Sequence, residues 1–140
     1  MWTLLVFQLL WTQAVVDPLG EMVARNFVDH LANRDLDRTT ALLSAKVNFD
    51  GKVVEGEEAR SAFLQRTFAA HPALIRFSRV TVMTGPQAVA RFGRPPARLG
   101  TLNLDRALVV LARRKIGGLV LVLEEEDRIP GRWRVVALTD

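Results

Sequence analysis

Apolar positions change their spacing halfway along the chain. Up to Pro72 they recur at helical intervals, and beyond it they alternate or run together. Leu19, Val23, Phe27 and Leu31 form one stripe at i, i+4, i+8, which predicts a first helix over residues 17–33. Asp17-Pro18 suits its start, with Asp as N-cap and Pro in the first turn. Asp35 then caps a second, short helix over 36–45, with Leu36, Leu42 and Leu43 available for burial. Residues 46–55 read as a hairpin around Asp50-Gly51, because Asp-Gly supplies the positive φ angles of a type I′ turn. Gly56 leads into a third helix, which carries Glu57 and Glu58 at its positive end and stops at Pro72. Its inward face is expected to run through Ala59, Ala62, Phe63, Thr67 and Ala70.

The second half reads as strands. Residues 74–84 alternate and end at Gly85-Pro86, and 87–92 form a further strand candidate. Residues 93–100 hold two Gly and two Pro and predict a loop. Strands follow over 102–114, 119–127 and 132–140, separated by turns at Lys115–Gly118 and Ile129–Gly131. Helices first and antiparallel strands afterwards make an α+β domain, with the helices on one face of a curved sheet.

The chain of 140 residues suits one domain with a sizeable core. It has no cysteine, which excludes disulfides, thiolate metal sites and a cysteine nucleophile. It has no tyrosine, which removes one common general acid and oxyanion donor. The formal charge of +4 comes from dispersed Arg residues, and no run of five like charges exists. A solvated basic surface fits this pattern better than a nucleic-acid footprint.

Residues 1–16 carry no charged side chain. The stretch falls short of the roughly 20 residues a membrane-spanning helix needs, so no stable span is expected. Three readings fit it: an export signal cleaved after Ala14, an apolar helix packed on the domain, or a misassigned start. The first would make the protein periplasmic or secreted; otherwise it is expected in the cytoplasm. In each case the segment looks like an addition to a domain spanning 17–140.

Residues 24–51, the stretch Val54–Phe68 and the closing Gly131–Asp140 together resemble the NTF2-like superfamily, and within it the SnoaL-like group. The shared pieces are a first helix, a short second helix, a strand ending in Asp, a Gly that opens the third helix, and a closing Trp-Arg-hydrophobic strand. The resemblance implies a cone, in which the sheet curls around the helices and leaves an apolar pocket open at one end. It implies no single activity, because a shared fold does not carry a function.

Candidate chemistry is sparse. Asp50 fits either a general base near the end of its strand, as the resemblance implies for an isomerase-type enzyme, or a turn residue. His30 could assist it, or simply sit near the end of the first helix, where a cation is favourable. His71 reads as a capping group beside Pro72. Phe27, Leu31, Phe63, Thr67 and Trp133 are the expected pocket lining, although Trp133 also suits the core. Any of Arg76, Arg106, Arg113 and Arg114 could place a guanidinium at the mouth to hold a carboxylate, with Arg76 and Arg113 taken for the site; Arg106 and Arg114 have the opposite strand parity to Arg113. The run Glu124–Asp127 lacks a nearby His and reads as a solvated strand end, so neither metal nor cofactor is expected. Both faces of the strands are apolar, which suggests a homodimer through the sheet.

The reading that follows is a non-catalytic domain binding a small apolar or amphipathic ligand, or a protein partner, in or beside the cone. The alternatives are a SnoaL-like isomerase, hydrolase or cyclase with Asp50 as base, and a dimerisation scaffold with a filled cone.

Overall fold

The computed structural model describes residues 15–70, 76–99 and 102–140. The expected leader lies almost wholly outside these residues, as does His71. Val16 packs against the core, and no helix among the described residues is long and apolar enough to cross a membrane.

Helix α1 (Pro18–Ala32) starts where the sequence predicts. The Asp17 carboxylate accepts from the Leu19 amide at 3.1 Å, and Pro18 occupies the first turn. The same carboxylate accepts from the Trp133 indole at 2.8 Å, which ties the helix start to the sheet. The buried stripe is rotated from the expected one. Gly20, Ala24, Phe27, Val28 and Leu31 face inward, while Leu19 is exposed. Gly20 allows a close approach here, because a Cβ would press on the Leu108 side chain and the Trp133 ring.

A short α2 (Leu36–Ala41) follows its Asp35 cap. Strand β1 (Leu43–Phe49) begins earlier than the sequence suggests and takes Leu43 into the core. The turn at Asp50 (φ 52°) and Gly51 (φ 95°) has both positive angles expected of it. Strand β2 (Lys52–Glu55) and helix α3 (Glu57–Ala70) come next. Leu64 and Phe68 carry the inward face of α3, whereas Ala59 and Ala70 are exposed.

Strand β3 (Arg79–Thr84) leads directly into helix α4 (Gly85–Phe92), where alternation predicts another strand. Local capping explains the difference. The Thr84 hydroxyl accepts from the Gln87 amide, and the Gln87 side chain accepts from the Thr84 amide, a reciprocal box that starts a helix. Pro86 sits in the first turn, where its missing N–H is harmless. Strands β4 (Leu108–Arg113), β5 (Gly118–Glu125) and β6 (Trp133–Thr139) complete the chain. Residues 102–107, expected at the start of β4, are not strand.

The six strands form one curved sheet in the order β2-β1-β6-β5-β4-β3. It is mixed rather than wholly antiparallel, because β1 pairs parallel with β6. The connection between those two strands contains most of the fold. Helices α1 to α3 pack on the concave face, where Phe27, Leu31 and Leu64 meet Val110, Leu121 and Val135 in one core, giving a cone.

The convex face has its own cover. Ala88 of α4 packs there with Leu99, Leu104 and Ala107 over Met83, Val109, Val122 and Ala137. This explains the apolar residues on both strand faces within a single chain, so the pattern that suggested a partner subunit has an internal cause.

Candidate functional site

The cone is not filled. Phe27 and Trp133 are both buried in the core, and neither lines the space that remains. That space is a cavity of about 610 Å³. Its apolar wall comes from α1 (Leu31), β1 (Phe49), α3 (Phe63, Leu64), the segment before β3 (Phe77), β5 (Leu119) and β6 (Leu138). Phe49 and Phe63 stack at 4.2 Å with a 20° interplanar angle, forming one continuous aromatic panel. Thr67 also faces the cavity, but its hydroxyl donates to the Phe63 carbonyl at 2.9 Å. It therefore offers mainly its methyl group.

Leu138 reaches this wall through an irregularity in β6. Val122 pairs with Ala137 and Leu123 with Val135, which leaves Val136 as an extra residue. The bulge reverses strand parity, so Val135 and Leu138 both face the cone. Simple alternation from Trp133 would have sent Leu138 to the convex side.

The rim is polar. Asp50 lines it from the β1–β2 turn, together with Thr139 and Asp140. The Asp50 amide donates to the Leu138 carbonyl at 2.8 Å, and its carboxylate accepts from the Thr139 hydroxyl at 2.6 Å. Arg98 approaches the same carboxylate at 3.6 Å and donates to the Asp140 main-chain oxygen at 2.8 Å. Asp50 is thus a turn residue and a rim residue together. Its two sequence-level readings do not exclude one another.

Across the rim stand Arg76, Arg114 and Lys115. None of them forms an ion pair among the described residues, although Asp140 lines the same cavity. The Arg114 Nε is buried and has no hydrogen-bond partner among those residues. A buried donor left unmet costs about 1–3 kcal/mol, and more when it is charged.

Of the residues expected at the site, Leu31, Phe63, Thr67, Arg76 and Asp50 meet at the cavity. His30 does not line it, and neither do Phe27 or Trp133. Arg113 does not line the cavity and borders a shallow cleft on the sheet, which Arg114 and Asp140 border too; of the two arginines only Arg114 also lines the cavity. The parity of Arg114 with Leu108 and Val110 carried that signal, but the apolar character of both faces hid which parity was concave. Phe49, Phe77, Leu119 and Leu138 have no signal of comparable strength, because the bulge and the curvature of the sheet place them.

A second cleft is bordered by Asn103, Asp105, Arg106, Glu124, Glu125 and Arg128. Desolvation by burial raises the pKa of Glu124 above the ordinary carboxylate value. Glu125 is occupied, accepting from the Gly131 amide at 2.6 Å. Among the described residues no group of three or more His, Cys, Asp or Glu is placed to hold a metal ion.

No family model and no curated protein matches the chain. Solved structures do. Aln2 from a Streptomyces species superposes with a TM-score of 0.50 at 16% identity, covering 89% of this chain and 91% of that one. At this identity the likeness is one of fold. A protein from Sphaerobacter thermophilus gives a TM-score of 0.48 at 15% identity, covering 91% of this chain and 94% of its own. A protein of unknown function with a cystatin-like fold, from Nostoc punctiforme, gives 0.47 at 14% identity over 87% of each chain.

Proposed function

We propose that this domain binds a small apolar or amphipathic molecule in the cone cavity and does not transform it. The observation that carries this reading is the cavity of about 610 Å³ walled by Leu31, Phe49, Phe63, Leu64, Phe77, Leu119 and Leu138. Its volume falls within the roughly 300–1,000 Å³ usual for ligand sites, and its mix of apolar wall and a few polar rim groups is the usual one. A catalytic set is harder to assemble from this rim. The chain has neither tyrosine nor cysteine, His30 is outside the lining, and the Asp50 carboxylate is engaged by Thr139 and Arg98.

The test uses Nile red, a neutral dye that brightens in apolar surroundings. It should bind saturably at one site per chain. Thr67→Phe, which pushes a ring into the cavity, should weaken that binding about tenfold, the loss of roughly one well-buried contact. Saturable binding that ignores Thr67→Phe would place the dye elsewhere and reject the cavity as the site.

One observation favours a second reading, an enzyme of proton transfer: the Asp50 carboxylate does reach the cavity rim. That reading expects exchange of solvent deuterium next to the carbonyl of a bound cyclic ketone, abolished in Asp50→Asn. Equal exchange in the two proteins would remove it.

A further inference from the structure

We propose that the ligand of this cavity is an anionic amphiphile, a monocarboxylic acid whose apolar body fills the cone while its carboxylate is held by Arg114 with Arg76 and Lys115. The inference rests on the cavity-binding reading above and adds the chemistry of the head group.

The rim has two sides with different needs. On one side the negative charge of Asp50 is already met, by the Thr139 hydroxyl at 2.6 Å and by Arg98 at 3.6 Å. On the other side Arg76, Arg114 and Lys115 have no acidic partner among the described residues. The deficit is sharpest at Arg114. Its main-chain amide is used in the β4–β5 turn, donating to the Gly117 carbonyl at 3.0 Å, but its Nε is buried without an acceptor among the described residues. A buried polar atom without a partner is uncommon in folded proteins and calls for an explanation. An acceptor arriving with the ligand supplies one.

Geometry selects the kind of acceptor. A guanidinium presents a planar fork that matches the two oxygens of a carboxylate, which a hydroxyl or a carbonyl cannot satisfy as fully. The fork borders a cavity whose wall is mostly Leu and Phe. One charged end and one apolar body are therefore required of the same molecule. A cationic head would meet Arg76, Arg114 and Lys115 with only Asp50 and Asp140 to offset them, and a neutral hydroxyl would give the Arg114 Nε one neutral acceptor in place of a charge-assisted pair.

The experiment is competition against Nile red by three probes of equal chain length, each below its micelle concentration: dodecanoate, dodecan-1-ol and dodecyltrimethylammonium. Dodecanoate should compete about tenfold more tightly than the alcohol, as expected for hydrogen bonds to charged groups, and the cation should be the weakest. Raising the salt should narrow the gap between acid and alcohol. Arg114→Met should bring the acid down to the affinity of the alcohol and leave the alcohol unchanged. The same variant should melt no lower than wild type, because the lost Nε had no partner to begin with. Lys115→Met, at an exposed position, should remove a smaller part of the preference. If the alcohol binds as tightly as the acid, or Arg114→Met leaves the preference intact, the head-group assignment falls and the cavity reading stands. If neither the dye nor any probe binds, both fall together.

Discussion

At the scale of single residues, Asp50 shows how one side chain serves a turn and a rim at once. Asp50→Asn keeps the tolerance for positive φ and an oxygen for the Thr139 hydroxyl, and loses only the exposed pairing with Arg98. Urea denaturation should therefore place it within about 1 kcal/mol of wild type. Asp50→Val puts a branched side chain at φ 52° and removes the bond, and should cost about 2 kcal/mol or more. Gly85 is under a harder constraint. A Cβ there would overlap the main-chain carbonyl of Leu104, which cannot swing aside as a side chain can. Gly85→Ala should lose about 3 kcal/mol by the same measurement, in the range of an overpacked site. Glu124 gives a pH signature. Its raised pKa means that the folded chain holds this proton more tightly than the unfolded one, so stability falls as pH rises from 4.5 through the raised value. Glu124→Gln should flatten that slope and leave the acid end nearly unchanged. Arg106 and Arg128 border the same cleft.

At the scale of elements, α4 depends on its first turn. It has eight residues, too few to be stable alone, and holds two buried ones, Gly85 and Ala88. Thr84→Ala removes one half of the capping box and should cost about 1 kcal/mol, with the loss of helix signal confined to α4 in hydrogen exchange. This helix also marks where the sequence misleads. Gln87–Phe92 alternates well enough to pass for a strand, and the capping box just before it decides otherwise. Elements whose stop and start signals are local, such as α1 after Asp17 and the Asp50-Gly51 turn, are readable from the chain. The parallel pairing of β1 with β6 is not, since nothing in either strand names its neighbour. The site divides the same way. Leu31, Phe63 and Thr67 follow from helical spacing, whereas Leu138 depends on a bulge and Arg114 on which sheet face is concave.

At the scale of the whole molecule, the cavity exists only when helices α1 and α3, the β1–β2 turn, the β4–β5 turn and the end of β6 are all in place. A ligand held there binds the folded chain alone, so it should raise the thermal midpoint of the entire domain. At a hundred times its dissociation constant, dodecanoate should add about 2.7 kcal/mol, a shift of several degrees in a melting scan. The parallel register of β1 on β6 has a consequence for a chain made from its N-terminus. Asp50 must wait for Thr139, 89 residues later, before its carboxylate finds the hydroxyl it accepts from. During synthesis at about 5–20 residues per second, that interval lasts several seconds, in which the helices and first hairpin are outside the ribosome without their sheet. The apolar faces of Phe27, Phe49 and Leu64 are bare for that time. A folding helper that shields nascent chains should therefore raise the soluble yield of this protein more than it raises the stability of the finished fold.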